Sequence, residues 1–350
     1  MAETPALKEE LNNAVKGILS GIERSREAEV IDRRFGVSGQ KETLEQVGES
    51  LSITRERVRQ IEKATLLRIK ISLDDNKNPD YSNAERDIVK TLHEMGRGAR
   101  VDDLADHLMG DHSVKSKAVV TLLAELSSKM VITTENDKYY AAVILSSDKD
   151  ERDIKKSADA IVATLKKHGK PVTIDDLYKL VDGDYEHPSE VAAIARISKK
   201  IATLNGMWGL VKWPLVNPRN IRDKIYVVLK QHDQPMHFND IADAVKAENF
   251  KRNNVTKQAI HNELIKDDRF VLVGRGIYAL AERGYKRGSI TDVISDILRE
   301  NGPMNREDIV RAVLKVRQVR EATVLLSLSR PQFKRVNKST YALADATASV

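Results

Sequence analysis

One stretch of the sequence carries polar residues whose types and spacing suit contact with the edges of DNA bases. At about 100° per residue, one side of a helix starting near Thr54 carries Arg55, Glu56, Arg59, Gln60 and Lys63. Arg can bond guanine O6 and N7, Glu can accept from a cytosine amine, and Gln can pair with adenine. Arg and Glu at this spacing are also common on helices that only face water. Spacing alone therefore leaves base contact and a solvated face as equal alternatives.

The elements around that stretch predict a helix-turn-helix. The opposite side of the helix is apolar and must pack on its neighbours; it carries Val58, Ile61, Thr65 and Ile69. Thr43 and Gln46 have the spacing of a capping box for a short helix that ends near Ser50. A three-residue break follows, and Thr54 caps the longer helix.

Two further helices are predicted upstream. The first has apolar residues at three- and four-residue spacing, namely Leu7, Leu11, Val15, Ile18, Leu19 and Ile22. The second runs from about Glu27 to Arg34, and Gly36 ends it.

These segments resemble region 4 of bacterial sigma factors of the housekeeping family. TLEQVGESLSITRERVRQIEKATLLRIK resembles region 4.2, and GILSGIERSREAEVIDRRFGV resembles region 4.1, so the match covers about residues 14–70. The resemblance implies contacts to bases of the −35 promoter element by Arg55, Glu56, Arg59 and Gln60. It implies positions at DNA phosphates or on the exposed helix face for Arg34, Thr43, Arg57 and Lys63. It implies contacts to the flap of the RNA polymerase β subunit by Leu11, Val15, Leu19 and Phe35.

The rest of the chain contains a fourfold repeat. The blocks GARVDDLADHL, PVTIDDLYKLV, PMHFNDIADAV and PMNREDIVRAV align without gaps, and a helix precedes each block. A further helix and a β-rich stretch follow each block, which predicts four winged helices. The predicted fold is mainly α with small β-hairpin wings. The predicted divisions are a sigma-like domain at 1–72, a polar linker at 73–82, winged helices at 83–146, 150–216, 218–287 and 288–345, and a tail at 346–350.

The third winged helix resembles the HARE-HTH domain. PMHFNDIADAV and NNVTKQAIHNELIKDDRFVLVGRGIYAL carry the likeness. That family occurs in the δ subunit of bacterial RNA polymerase, in chromatin regulators and in restriction systems.

Basic residues near the third helices and wings of the last two units are candidate accessory DNA contacts: Lys251, Arg252, Lys257, Arg275, Arg317, Arg320, Lys334 and Arg335. A solvated basic face is the alternative. The first two winged helices mix acidic and basic residues, and we expect them to bind protein or to act as spacers.

The composition suits several small helical units better than one large sheet enzyme. The chain has 350 residues, a formal charge of +6, 5% aromatic residues and no Cys, which excludes disulfides and thiolate metal sites. The repeated Asp residues sit at the third position of a helix, where capping is a better explanation than catalysis; they are Asp103, Asp176, Asp240 and Asp308. We expect no catalytic residue, metal, cofactor, small-molecule substrate or membrane segment, and a cytoplasmic location.

The leading hypothesis is a transcription-initiation regulator that contacts −35-type double-stranded DNA and docks on bacterial RNA polymerase. No region 2-like segment precedes the sigma-like part, so we expect that it cannot melt a promoter alone. Two alternatives remain: a polymerase accessory subunit similar to δ that does not recognise sequence, and the DNA-recognition protein of a restriction or defence system.

Overall fold

A computed structural model describes residues 4–76, 78–145, 149–248, 250, 254–285 and 287–344. The chain forms two compact units, Met1–Lys212 and Trp213–Val350. No helix among the described residues is both long and apolar enough to cross a membrane. The predicted tail at 346–350 lies outside the described residues.

The first unit begins with the predicted helix-turn-helix. Its helices are α1 Thr4–Ser20, α2 Ser25–Phe35, α3 Leu44–Leu51 and α4 Arg55–Asn76. Gly36 ends α2 in a left-handed conformation, as predicted from the sequence. The capping box of Thr43 and Gln46 is formed at the start of α3. The backbone N–H of Arg57 donates to Thr54 Oγ1 at 3.2 Å, so Thr54 caps α4.

The prediction of a polar linker at 73–82 is wrong for the described residues. Helix α4 continues to Asn76, and α5 already begins at Pro79. Asn78 caps α5 by accepting from the backbone N–H groups of Asp80 and Tyr81. Proline at the first helical position needs no hydrogen-bonded N–H, which makes Asn-Pro a helix start here and not a loop.

Two winged helices complete the first unit. The first contains α5 Pro79–Glu94, β1 Gly98–Arg100, α6 Val101–Met109, α7 Val114–Leu126, β2 Met130–Thr133 and β3 Ala142–Leu145. The second contains α8 Glu151–His168, β4 Val172–Thr173, α9 Ile174–Leu180, α10 Pro188–Ile197, β5 Ile201–Leu204 and β6 Met207–Leu210.

Two more winged helices form the second unit. One contains α11 Ile221–Gln231, β7 Met236–His237, α12 Phe238–Ala247, α13 Lys257–Lys266, β8 Phe270–Gly274 and β9 Ile277–Leu280. The other contains α14 Ile290–Asn301, β10 Met304–Asn305, α15 Arg306–Val316, α16 Glu321–Ser327, β11 Phe333–Arg335 and β12 Thr340–Leu343.

Every winged helix has the same small antiparallel sheet. In each, the last strand lies in the middle, between the short strand that precedes the second helix and the first strand of the wing; the orders are β1-β3-β2, β4-β6-β5, β7-β9-β8 and β10-β12-β11. This arrangement confirms the predicted fold class. The four repeated Asp residues all lie in the first turn of the second helix of their winged helix, where a carboxylate favours the helix dipole.

One apolar core joins α1 to the first winged helix. Leu11, Ala14 and Val15 from α1 are buried together with residues of α5, α6 and α7. The helix-turn-helix has a smaller core of its own, centred on Val30, Val47 and Val58. Both cores hold α4 from one side only, so its other side is left at the surface.

Candidate nucleic-acid interface

The side of α4 predicted to contact bases is fully at the surface. Arg55, Glu56, Arg59 and Gln60 are all exposed, whereas Val58 and Thr65 on the opposite side are buried. Burial of Val58 against Val30 and Val47 fixes the rotation of α4 about its axis. The structure therefore brings the four side chains together on one accessible face, at the N-terminal turns that enter the major groove in such motifs.

Ion pairs orient these side chains without burying them. Arg59 makes a bidentate pair with Glu56, with Nη2–Oε1 at 2.6 Å and Nε–Oε2 at 2.9 Å. Arg55 Nη1 lies 2.9 Å from Glu45 Oε1 on α3. The hydrogen bonds from Arg59 lower the pKa of Glu56, which keeps this carboxylate charged and able to accept from an amine. Exposed pairs of this kind are weak, so they can exchange for contacts to DNA.

Three of the four predicted phosphate contacts have accessible side chains. Arg57, Lys63 and Thr43 are exposed. The Thr43 hydroxyl oxygen accepts the capping bond from the Gln46 N–H, and its O–H can still donate to a phosphate.

Arg34 is partly buried and has a structural role, and its predicted phosphate contact stays a prediction. Its Nε donates to Glu62 Oε2 on α4 at 2.9 Å, and its Nη1 donates to the Glu42 carbonyl oxygen at 2.5 Å. The Arg34 side chain is only 18% exposed. The Nε and Nη1 groups of Arg34 therefore hold α2, α4 and the loop before α3 together.

Burial makes two of the four predicted polymerase-flap contacts wrong, those of Leu11 and Val15, while those of Leu19 and Phe35 stay predictions. Leu11 and Val15 are buried in the core shared with the first winged helix, and Leu19 and Phe35 pack against that core while partly buried. A side chain enclosed in its own protein's core is not available to a partner. The apolar face of α1 is thus used within the chain.

The third helix of the first winged helix is covered as well. Helix α7 packs against α1, α2 and α4 in addition to α5 and α6. Lys8 Nζ on α1 lies 2.6 Å from Asp111 Oδ2, and Lys70 Nζ on α4 lies 3.7 Å from Glu125 Oε1. Apart from its first turn, α7 has no exposed residue. It cannot enter a DNA groove while these contacts exist.

The third helix of the second winged helix is covered by the first winged helix. Helix α10 packs on β1, and Arg196 is its single exposed residue. Gly96 has φ +85°, and a Cβ there would lie 2.3 Å from the Ser189 carbonyl oxygen, so only glycine allows this approach. Backbone bonds reinforce it, with the Tyr140 N–H donating to the Ile197 carbonyl at 2.9 Å.

The predicted accessory DNA contacts divide into three groups. Lys251 and Arg252 lie outside the described residues. Five are exposed: Lys257, Arg275, Arg320, Lys334 and Arg335. Arg317 is 6% exposed, and its guanidinium donates to the carbonyl oxygens of Leu272 and Gly288. Arg317 therefore joins the last two winged helices, and its prediction as a DNA contact is wrong.

The sequences of the two covered helices contain a signal of their burial that the prediction of the site did not include. Helix α7, VKSKAVVTLLAEL, and helix α10, PSEVAAIARI, are apolar around most of their circumference. A helix that is apolar on all sides is buried on all sides. In α4 the charged residues of the first three turns leave one side polar.

Two family models match the chain. Residues 24–70 match Sigma-70, region 4, which covers α2, α3 and most of α4. Residues 81–168 match Penicillinase repressor, which covers the first winged helix and α8. Together with the four winged helices, these matches indicate a DNA-binding transcription regulator.

Proposed function

We propose that this protein regulates transcription initiation by contacting −35-type promoter DNA with helix α4. The observation that carries the proposal is the shared exposed face of Arg55, Glu56, Arg59 and Gln60 on a helix whose rotation is fixed by its buried side. The match of residues 24–70 to Sigma-70, region 4 supports the choice of promoter DNA as the target.

Each side chain has a distinct role in this proposal. Arg55 and Arg59 donate to guanine O6 and N7, and Glu56 accepts from a cytosine amine. Gln60 pairs with adenine, while Arg57, Lys63 and Thr43 contact phosphates and set the register of α4 in the groove. Since Glu56 stays charged beside Arg59, the face combines donors and an acceptor at neutral pH.

Selection of bound duplexes from random DNA tests the proposal. The wild-type chain should enrich a −35-like sequence, and Arg59→Ala should relax the preference at one base position. Lys115→Ala, at an exposed position on the first turn of the covered helix α7, is the matched control and should enrich the same sequence as wild type. An unchanged preference in Arg55→Ala, Arg59→Ala and Gln60→Ala would refute contact through α4.

Docking on bacterial RNA polymerase is the second part of the proposal, and the family match supports it. Because Leu11 and Val15 are buried, the proposed docking surface does not depend on them. Leu67 and Ile71 are exposed apolar residues one helical turn apart on the outer side of α4. Retention of the full chain by core polymerase should fall in Leu67→Asp/Ile71→Asp and persist in Arg55→Ala/Arg59→Ala. Equal retention of the Leu67→Asp/Ile71→Asp variant would refute this surface.

We also propose that the chain does not open promoters by itself. Proteins that hold unpaired bases commonly stack them on accessible aromatic rings. The nine Tyr, five Phe and two Trp residues all lie in the described part of the chain, and none of them has a largely exposed ring for a base to stack on. Specific transcripts from linear duplex DNA with this protein and core polymerase alone would overturn the statement.

A further inference from the structure

Among the third helices of the four winged helices, α13 has the exposed face best suited to DNA. Helices α7 and α10 are covered, and the exposed residues of α16 are Glu321, Ala322, Thr323 and Leu326. That set contains one acid, one hydroxyl and two apolar side chains, and it has neither a cation nor an amide. Helix α13 instead exposes Lys257, Gln258, Asn262, Ile265 and Lys266.

Two amide side chains on α13 are arranged as a pair. Gln258 Nε2 donates to Asn262 Oδ1 at 3.0 Å, one helical turn apart. The pair then presents Gln258 Oε1 as an acceptor and Asn262 Nδ2 as a donor. Adenine shows the complementary pattern in the major groove, with N6 as donor and N7 as acceptor.

The side of α13 opposite the amide pair packs against its own winged helix. The His261 ring packs on Phe238 of α12, with ring centroids 4.8 Å apart, and lies edge-on to Tyr278 of β9 at 6.2 Å. Ile260 and Leu264 are buried in the domain. These contacts fix the rotation of α13, and they point the amide pair away from the core.

The wing turn beside α13 is held from two sides. The Phe238 N–H donates to the Gly276 carbonyl at 2.9 Å, and a Cβ at Gly276 would lie 2.6 Å from His237 Nε2. On the other side, the Gln318 N–H donates to the Val273 carbonyl at 3.0 Å, and Arg317 donates to the Leu272 carbonyl. The exposed Arg275 side chain therefore projects from a fixed turn.

We propose that α13 and the Gly274–Gly276 turn form a second duplex-DNA site, distinct from α4. Gln258 and Asn262 contact an adenine in the major groove, and Lys257 and Arg275 contact phosphates. The ion pair of Lys257 with Asp243, 3.4 Å long and exposed, can exchange for a phosphate. This site extends the proposed function, because it adds a second recognition element for double-stranded DNA. The evidence for it comes from a surface other than that of α4.

Arg317 is the positioning residue of this site. It does not contact DNA. Its bond to the Leu272 carbonyl ties wing strand β8 to the chain between α15 and α16, and its bond to the Gly288 carbonyl ties that chain to the segment before α14. A lysine at this position keeps the charge but cannot span both carbonyl oxygens. Arg317→Lys is therefore expected to loosen the turn that carries Arg275.

The main test is selection of bound duplexes from a random pool with three full-length proteins. The wild type should enrich two separate sequence blocks. Gln258→Ala/Asn262→Ala should lose the adenine preference of one block and keep the −35-like block, while Arg55→Ala/Arg59→Ala should do the reverse. Loss of only the α13 block's preference, with no effect of the α4 variant, would refute the proposed function and leave the second site standing.

One result would overturn the second site, namely a Gln258→Ala/Asn262→Ala protein that enriches the same sequences as the wild type. If this variant also lost retention by core polymerase, the face would be a protein-docking surface.

Salt dependence tests the phosphate contacts separately. On a selected duplex, Lys257→Ala and Arg275→Ala should each reduce the slope of log affinity against log salt by about 1. Arg317→Lys should lower the slope as Arg275→Ala does, whereas Arg196→Ala on the covered helix α10 should leave it unchanged. An unchanged slope in both Lys257→Ala and Arg275→Ala would refute the site, and thermal melting of each variant shows that it is folded.

Discussion

Helices α4 and α7 occupy equivalent places in their motifs, since each is the second helix of a helix-turn-helix unit. Helix α4 exposes a face of charged and amide side chains, whereas α7 is enclosed by α1, α2, α4, α5 and α6. The same local motif thus has opposite accessibility within one compact unit. The difference lies in what packs on the helix and not in the motif itself.

The apolar face of α1 also has a different role from the one that the sequence resemblance implies. In the resemblance to sigma factors, the apolar face of this helix is assigned to the polymerase flap. In the structure, that face completes the core of the first winged helix instead. A motif match shows which residue types a segment contains. It does not show which surface packs on the apolar face of that segment.

The strongest test of this comparison is removal of a buried side chain of α1 from the core that α1 shares with α5, α6 and α7. Leu11 is fully buried, so Leu11→Ala should lower the free energy of unfolding by about 2–5 kcal/mol through lost burial and a new cavity. Chemical denaturation of the full chain measures it. Leu67→Ala, at a position 57% exposed, is the control and should change stability by less than about 0.5 kcal/mol. Equal, small effects at both positions would mean that α1 does not cover α7.

A DNA-binding comparison of the two helices has the next largest expected effect. Arg59→Ala should weaken binding to a −35-like duplex by about 1–3 kcal/mol, because one bidentate base contact is lost. Lys115→Ala removes an exposed cation from α7 and should have little effect. Fluorescence anisotropy at fixed salt gives both affinities. Similar losses in the two variants would show a diffuse electrostatic contact and not base recognition by α4.

Removal of the N-cap side chain should lower the stability of the protein for both α4 and α7, but it should weaken DNA binding only for α4. Thr54 caps α4 and Ser113 caps α7, each through a hydroxyl that accepts a backbone N–H. Replacing either by Ala should cost about 0.5–2 kcal/mol of stability. Only Thr54→Ala should also weaken DNA binding, since it loosens the turn that carries Arg55. Weaker DNA binding in Ser113→Ala, measured at a temperature where the protein is folded, would contradict the covered position of α7.

The smallest expected effect concerns the ion pair that joins α1 to the segment before α7. Hydrogen bonds from Lys8 and from Ser116 and Ser113 hold the pKa of Asp111 well below its ordinary value. A lowered pKa in the folded state adds stability above the unfolded-state value of about 3.9, and this stability is lost as pH falls towards the folded-state value. Asp111→Asn should therefore lower the melting temperature at pH 7 and make less difference below pH 4.

The partner of Asp111 provides the control for that measurement. Lys8→Met should lower the melting temperature at pH 7 by a similar amount, and the double variant should not add the two effects. A pH-independent difference in Asp111→Asn would show that the side chain acts through packing and not through its charge.

Much of the fold could be predicted from the sequence because its signals are local. The capping box at Thr43, the stop at Gly36 and the fourfold repeat each depend on neighbouring residues, and the structure confirms them. The linker prediction failed because Asn78 and Pro79 were interpreted as loop residues, although the same pair also starts helices. The boundaries of the domains otherwise stay predictions.

The site could be predicted only in part. The face of α4 follows from helical geometry, and the structure shows it exposed. Arg34 and Arg317 are long cations in basic segments, and the sequence gives no sign that carbonyl oxygens and a carboxylate distant in the chain engage them. Such partners become visible only when the segments are placed together.

The sequence by itself determined the helices, the caps, the repeat and the polar face of α4, because these depend on residues a few positions apart. Only the tertiary structure decided which apolar faces meet. It placed the residues of α1 against α7 and those of α10 against β1, and it left α4 and α13 accessible. The physical reason is that burial depends on contacts between segments far apart in sequence, and hydrophobic patterning shows that a face must be buried without showing what will cover it.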